Sequence, residues 1–302
     1  MQRTLNRGIT VRYLILAYGE GDAVYAQASM LLLSLLAHAP EPRELVVVTD
    51  YPHRFGWFEG LVHVYPVTSE QLTEWSGKDR FSMRQKLEVA RALAPAEGAL
   101  VMMDADTLAS RDLTPMIQAL ASGAVFLHKR EFELGYNRRR GNRALWKEIS
   151  SRTFAGWYFR PGDAMWNSGV IALPAAEAPL LDQAMLLYDA VADAGIRHFA
   201  AEQLVLGQVL GRTQRLREAI PWVVHYWGNK HTFEREIAKR LAEAHATGMN
   251  PLEAAVVFRK NPIDLPAEVR PGPLVKLWRR LIGHRDYAPV RAARSSIPPL
   301  SP

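Results

Sequence analysis

The sequence of 302 residues contains no cysteine. Disulfide bonds and thiolate metal sites are therefore excluded, and a reducing compartment, the cytoplasm, is the expected location. No stretch is apolar for long enough to cross a bilayer, and the apolar segment at residues 13–18 is too short for a signal peptide. With 48% hydrophobic residues and no repeat or low-complexity stretch, the sequence predicts a folded protein with a large core.

Positive charge is in modest excess, with a formal net charge of +6, but it is unevenly placed. Basic residues cluster at 138–143 and at 276–285. Neither cluster belongs to a nucleic-acid-binding motif, so we expect anionic small molecules or lipid headgroups as partners and no nucleic acid. The second cluster overlaps an amphipathic segment at 274–282, which predicts either peripheral contact with an anionic inner membrane surface or a helix packed on the body.

Strand-like and helix-like segments alternate in the first half of the chain. Strand patterns occupy residues 12–18, 44–49, 62–67 and 99–104, with helical patterns at 23–39 and 81–93. This alternation predicts an α/β fold with a Rossmann-like, mixed but mostly parallel sheet flanked by helices. Further strands are expected at 124–128, 165–173 and 222–227 and further helices at 175–194, 200–211 and 232–246, with irregular structure between 129 and 157. We expect one domain over residues 1–260 and a proline-rich basic extension over 261–302.

Two carboxylates, Asp104 and Asp106, follow the apolar run at 99–103. Carboxylates at the end of a buried strand are costly unless a cation lies between them. A divalent metal that also holds a diphosphate would meet this need, because hard cations bind carboxylate and phosphate oxygens together. The alternative is an ordinary strand-to-loop boundary, where aspartate is common. In parallel sheets ligands gather at the carboxyl ends of the strands, which is where this pair falls.

A histidine also follows an apolar run, since His225 comes directly after residues 222–224. Two carboxylates and an imidazole suit manganese, with magnesium as the alternative ion because it prefers oxygen ligands. Gly228 would let the backbone approach phosphates, and Lys230 would bring a positive charge to them. The alternative is a histidine with a structural role only.

The ordered set of these motifs resembles glycosyltransferase family 8. The set comprises Asp104-Ala105-Asp106, Asn167-Ser168-Gly169, Glu202-Gln203 and residues 225–230, and residues 83–87 resemble the family's arginine-bearing helix. The resemblance covers about residues 12–231. It implies a GT-A fold and transfer of a sugar, with retention of anomeric configuration, from a nucleotide donor such as a UDP-sugar to a glycan or lipid-linked acceptor.

The resemblance also implies roles for individual residues. Asp104, Asp106 and His225 would bind manganese, and Asn167, Glu202 and Gln203 would lie at the reacting sugar. The donor would be held by a further set, namely Ala17, Tyr18, Arg84, Lys86, Asp104, Ala105, Ser168, Gly169, Gly228 and Lys230. Because Gln203 is a poor nucleophile, attack on the face of the leaving group is favoured over a covalent intermediate.

The chain departs from the family in two places. Only Asn229 separates Gly228 from Lys230, where the family usually has two residues, and His231 stands at the usual lysine position. The acidic residue that helps to read uracil after the first strand is missing, and Tyr18 would stack on the base instead. Two other functions stay open: a non-catalytic nucleotide-sugar or glycan-binding protein, and a phosphatase of the haloacid dehalogenase type. The arginine-rich residues 130–143, with Tyr136 and Trp146, would form a flap over the acceptor or contact anionic lipid.

Overall fold

The computed structural model describes residues 9–78 and 81–269. The N-terminal residues 1–8 and the basic amphipathic segment at 274–282 lie outside the described residues. The compact body of the protein continues through Glu268.

A seven-stranded sheet forms the centre of this body. Its strands are β1 (Val11–Ala17), β2 (Arg43–Thr49), β3 (His63–Pro66), β4 (Ala99–Asp104), β6 (Val125–Glu133), β9 (Ala164–Pro174) and β10 (Leu216–Glu218). Their spatial order is β10-β6-β9-β4-β1-β2-β3, and only β9 runs antiparallel to its neighbours. The expected mixed, mostly parallel α/β sheet is confirmed.

Two small sheets complete the β structure of the described chain. One pairs β5 (Thr107–Ala109) with β11 (Val223–His225), and the other pairs β7 (Thr153–Phe154) with β8 (Trp157–Tyr158). The first is the more informative, because β5 begins just after the acidic pair and β11 ends at the predicted histidine ligand.

Helices cover both faces of the central sheet. They are α1 (Asp22–His38), α2 (Ser69–Trp75), α3 (Ser82–Ala92), α4 (Thr114–Ala121), α5 (Arg140–Ile149), α6 (Pro179–Asp193), α7 (Ala201–Gly211), α8 (Lys230–Ala246) and α9 (Pro251–Lys260), with 3-10 turns at Pro52–Phe58 and Ala175–Glu177. Alternate residues of β1 point to opposite faces, so Tyr13 and Ile15 pack with α1 and α9 whereas Leu14 packs with α3, α6 and α7. A strand buried on both faces reads as a continuous apolar run, which is why its position was predictable.

The expectation of irregular structure between residues 129 and 157 is wrong. Strand β6 continues to Glu133, helix α5 follows, and the β7–β8 hairpin closes the segment. The helix was missed because its sequence is mostly polar and basic and it buries only Leu145 and Ile149. Among the described residues no helix combines the length and apolar character needed to span a bilayer.

Candidate metal centre

The acidic pair lies at the carboxyl end of β4, in a tight turn between β4 and β5. Asp104 is the last residue of the strand, and Thr107, the first residue of β5, is fully buried. The hydroxyl of Thr107 donates a 2.7 Å hydrogen bond to the carbonyl of Asp104 and closes the turn. The turn brings both carboxylates to the same edge of the sheet.

Backbone pairing carries His225 to this turn. Strand β11 runs antiparallel to β5, with His225 opposite Thr107. The next amide, that of Tyr226, donates a 3.1 Å hydrogen bond to the carbonyl of Asp106. This pairing joins the turn that carries Asp106 to the strand that carries His225, although the two are far apart in the sequence.

Three ligand atoms converge as a result. His225 Nε2 lies 3.2 Å from Asp106 Oδ1 and 4.0 Å from Asp104 Oδ2. One ligand atom from each of the three residues lies within 4.8 Å of the other two, so the group could hold a metal ion. Atoms held about 2.1 Å from one ion at right angles are about 3 Å apart, so these separations suit a shared cation.

The tautomer of His225 is set by Asn167. The backbone amide of Gly169 points at one atom of the Asn167 side chain at 2.9 Å, so that atom must be the acceptor oxygen Oδ1. The same oxygen lies 2.8 Å from His225 Nδ1, which must therefore carry the proton. Nε2 is therefore the ring nitrogen that faces the carboxylates and is available to a metal ion.

Gly169 makes room for the imidazole. A Cβ atom at this position would lie only 2.3 Å from His225 Nδ1, closer than any such contact tolerates. Asn167 and Gly169 were expected beside the donor sugar. The structure places both against the back of the histidine ring, where they orient it.

A buried ion-pair cluster lies behind Asp104. Lys86 Nζ is 2.6 Å from Asp104 Oδ1 and 3.5 Å from Glu202 Oε1, and the hydroxyl of Ser168 donates to Glu202 Oε2 at 2.9 Å. Burial by itself would lower the pKa of Lys86, but Asp104 and Glu202 raise it above its usual value. Burial raises the pKa of Glu202, against the opposing effect of Lys86.

A second lysine is paired with the other carboxylate. Lys230 Nζ lies 3.2 Å from Asp106 Oδ2, and about half of the lysine side chain is exposed. Burial alone would raise the pKa of Asp106, but His225 and Lys230 together hold it well below its usual range. Each carboxylate therefore has one oxygen on a lysine and the other directed toward His225 Nε2.

Arg84 does not join this group. Its guanidinium makes a bidentate pair with Asp189, at 2.8 and 3.1 Å, and donates to the carbonyl of Trp75. The expected contact with the donor is therefore corrected to a link between α3 and α6. Lys86, two residues further along α3, is the cation that reaches the site, because helix residues two positions apart face different directions.

Gly228 also has a different neighbour from the one expected. A Cβ atom there would lie 2.8 Å from Cγ of Glu268, whose backbone forms a bridge with Gly228. Asn229 Nδ2 donates to the carbonyl of Pro266 at 2.8 Å. The glycine is needed where the C-terminal segment of the body crosses the loop between β11 and α8.

The remaining predicted residues lie around the same edge of the sheet or beside it. Ala17 is the buried last residue of β1, and Ala105 is buried between the two aspartates. Tyr18 is half-buried against the apolar layer of α3, and burial raises the pKa of its hydroxyl. Gln203 is half-buried on α7.

Two residues of the site were missed from the sequence. Buried His128 packs edge-on against His225, with ring centroids 5.3 Å apart. Asp50 accepts hydrogen bonds from the Gly19 amide at 3.0 Å and the Tyr25 hydroxyl at 2.8 Å, and so holds the loop after β1. Asp50 carried a usable signal, because it follows the apolar run of β2 just as Asp104 follows that of β4.

Comparison with known proteins identifies no relative of this chain among family models or curated sequences. No protein-family model matches the chain, and no curated protein matches its sequence. What the chain shows by itself is an α/β protein whose Asp104, Asp106 and His225 form a group able to hold a metal ion.

Proposed function

We propose that this protein is a metal-dependent retaining glycosyltransferase that resembles family 8. It would transfer a hexose from a nucleoside-diphosphate sugar, with a UDP-sugar as the first donor to test, to a glycan or lipid-linked acceptor. The observation that carries the proposal is the convergence of two carboxylate oxygens and an imidazole nitrogen at the carboxyl edge of a mixed α/β sheet. That edge is where open α/β sheets bind nucleotides.

Manganese is the proposed ion. The ligand set mixes hard carboxylate oxygens with an imidazole nitrogen, which manganese accepts more readily than magnesium does. The three protein ligands leave positions for diphosphate oxygens. When bound, the ion supplies Lewis-acid stabilisation of the charge that develops on the leaving diphosphate.

The protein's own residues support this chemistry around the ion site. Lys86 is buried and fixed on Asp104, so it holds the carboxylate in place. Lys230 is half-exposed, so its ammonium group is free to turn toward a diphosphate at the edge of the sheet. Positive charge placed where negative charge develops lowers the barrier to loss of the diphosphate.

Retention favours attack on the face that the diphosphate leaves. A covalent intermediate would need an exposed carboxylate on the opposite face of the sugar. Glu202 is 2% exposed and is engaged by Ser168 and Lys86, and Gln203 is a poor nucleophile. The acceptor's proton would then pass to an oxygen of the departing diphosphate.

Asp106→Asn tests the proposal, with the exposed Asp193→Asn as a matched control. Transfer from nucleotide sugars is measured with and without manganese, together with the thermal shift that each nucleotide sugar produces. The wild type and the control should show manganese-dependent transfer and stabilisation, whereas Asp106→Asn should lose at least about 100-fold in kcat/KM while staying folded.

Other results would contradict the proposal in distinct ways. Unchanged transfer in Asp106→Asn would remove the metal site from the reaction. Manganese-dependent nucleotide-sugar binding without transfer to any acceptor would identify a binding protein. Release of phosphate from simple phosphoesters, with no response to nucleotide sugars, would identify a phosphatase.

The proposed location is the cytoplasm, with peripheral contact at the inner face of a membrane. Its basis is the absence of cysteine together with the basic clusters of the sequence.

A further inference from the structure

A groove of about 840 Å³ opens beside helix α5, outside the candidate metal centre. One wall is the loop at residues 135–138, and the other is the face of α5 that carries Arg140, Arg143 and Lys147. Tyr136 and Trp146 also line it, and the tyrosine is 69% exposed. The groove is large enough for a small-molecule ligand.

The cations of this groove are unpaired. Arg138, Arg140, Arg143 and Lys147 are exposed, and none of their side chains has a hydrogen bond or an ion pair with any residue in the described ranges. The sequence from 135 to 147 contains no acidic residue. The flanking carboxylates are directed elsewhere, since Glu133 pairs with Arg130 and Glu148 interacts with His198.

This group of unpaired cations contrasts with many arginines elsewhere in the described chain. Arginine side chains elsewhere are commonly paired with carboxylates, as at Arg12, Arg54, Arg84, Arg91, Arg130, Arg215 and Arg240. Like charges brought together without a counter-charge repel one another. A bound anion would relieve this repulsion, so unpaired cations that line a concave surface favour binding of an anionic ligand.

The groove lies on the same edge of the sheet as the metal centre. Strands β4 and β6 are both antiparallel to β9, so their carboxyl ends share one edge. Lys129 of β6 is opposite Asn167, and the groove begins at Gly135. Six residues of extended chain reach at most about 20 Å.

We propose that this groove binds the phosphate groups of a phosphorylated saccharide, either free or as the headgroup of a lipid. Guanidinium groups match phosphate oxygens in bidentate pairs, and several unpaired cations suit a ligand with two phosphates. The flat, amphipathic rings of Tyr136 and Trp146 offer surfaces for a sugar between them. That this ligand is the acceptor of the transfer rests on the proposed function, but the binding itself does not.

The double variant Arg140→Gln/Arg143→Gln tests the groove, with Arg235→Gln/Lys239→Gln on α8 as a control of equal charge. Binding is measured on the full chain without metal or nucleotide, so that failure of the transferase proposal leaves the result unaffected. The two probes are glucose 1,6-bisphosphate by calorimetry, and phosphatidylcholine vesicles with and without phosphatidic acid by sedimentation. Circular dichroism checks that each variant is folded.

Saturable binding of glucose 1,6-bisphosphate that weakens roughly 100-fold in the double groove variant, about tenfold for each arginine, and is kept in the control would support a free phosphorylated sugar as the ligand. Binding only to vesicles that contain phosphatidic acid, lost in the groove variant and kept in the control, would support a phosphate group presented on a lipid as the source of the ligand. Equal binding of both probes by the groove variant and the control, or no binding by the wild type, would overturn the proposal.

Discussion

A single amide side chain decides whether His225 can act as a metal ligand. Asn167 Oδ1 accepts from the Gly169 amide and from His225 Nδ1, and so directs Nε2 toward the two carboxylates. The sequence predicted the ligands themselves, because each follows an apolar run at a strand end. The roles of Asn167 and Gly169 were not predictable in this way, because they depend on contacts with a residue more than fifty positions away.

Adding a methyl group at Gly169, which packs against the imidazole of His225, should displace that ring. In Gly169→Ala the new Cβ would fall on His225 Nδ1, so the ring must shift, and we expect a 10- to 100-fold loss of manganese affinity by calorimetry. Gly207→Ala is the control, because its Cβ would also be crowded, by Trp166 at 2.9 Å and the Ala164 carbonyl at 3.0 Å, without touching His225. Loss of stability in both variants with unchanged manganese affinity in Gly169→Ala would contradict the role given to this glycine.

Lys86 should contribute to the free energy of unfolding mainly by neutralising the buried carboxylate of Glu202 and by binding Asp104. Lys86→Met leaves Glu202 buried without its cation and frees Asp104 Oδ1, so we expect a loss of about 3–5 kcal/mol in the free energy of unfolding. In the double variant Lys86→Met/Glu202→Gln the neutral amide should restore part of this loss. Urea unfolding of the wild type, Lys86→Met, Glu202→Gln and the double variant gives the coupling energy, and strictly additive changes would show that the two side chains act independently.

At the scale of elements, predictability follows the length and burial of the apolar run. Strands β1, β2, β4 and β9 are buried runs and were found within one or two residues. Strands β5 and β10 have three residues each and present too short a pattern to be found from sequence, whereas the equally short β11, expected at 222–227, lies at Val223–His225. The position of β11 nevertheless matters most, because its register with β5 places the third ligand.

Helix α9 offers a test of element-level stability. Asn250 accepts hydrogen bonds from the amides of Leu252 and Glu253, and its own amide donates to the Glu253 carboxylate. Asn250→Ala should therefore lower the free energy of unfolding by about 1 kcal/mol in urea. Asn261→Ala at the other end of the helix is the control, and an equal loss there would contradict a specific effect of the cap.

For the whole molecule, the fold class was predictable, but the contacts made by residues 261–268 were not. Alternating patterns give the sheet and its covering helices, whereas the path of residues 261–268 is set by contacts with the loop at Gly228 and Asn229. These contacts cannot be predicted from a proline-rich composition, because they are made with a distant part of the chain.

The stability of the whole molecule should fall in mild acid partly through His128. Burial lowers the pKa of His128 to about 4, from an ordinary value of 6.5. Between these values the unfolded chain binds a proton that the folded chain does not, so unfolding becomes easier as the pH falls. By pH 5 this histidine should cost about 2 kcal/mol of the stability present at pH 7.

Urea unfolding of metal-free protein at pH 7 and pH 5 measures this loss. His128→Gln should lose less stability than the wild type over the interval, and the exposed His63→Gln should behave as the wild type does. Equal losses in the wild type and His128→Gln would show that the buried imidazole is not responsible.

The pairing of β5 with β11 has a mechanical consequence. Asp106 and His225 are fastened to each other by main-chain hydrogen bonds on both sides of the ligand pair, rather than by side chains alone. Separating the two backbone segments would break this pairing, so a bound molecule should enter and leave without parting β5 from β11.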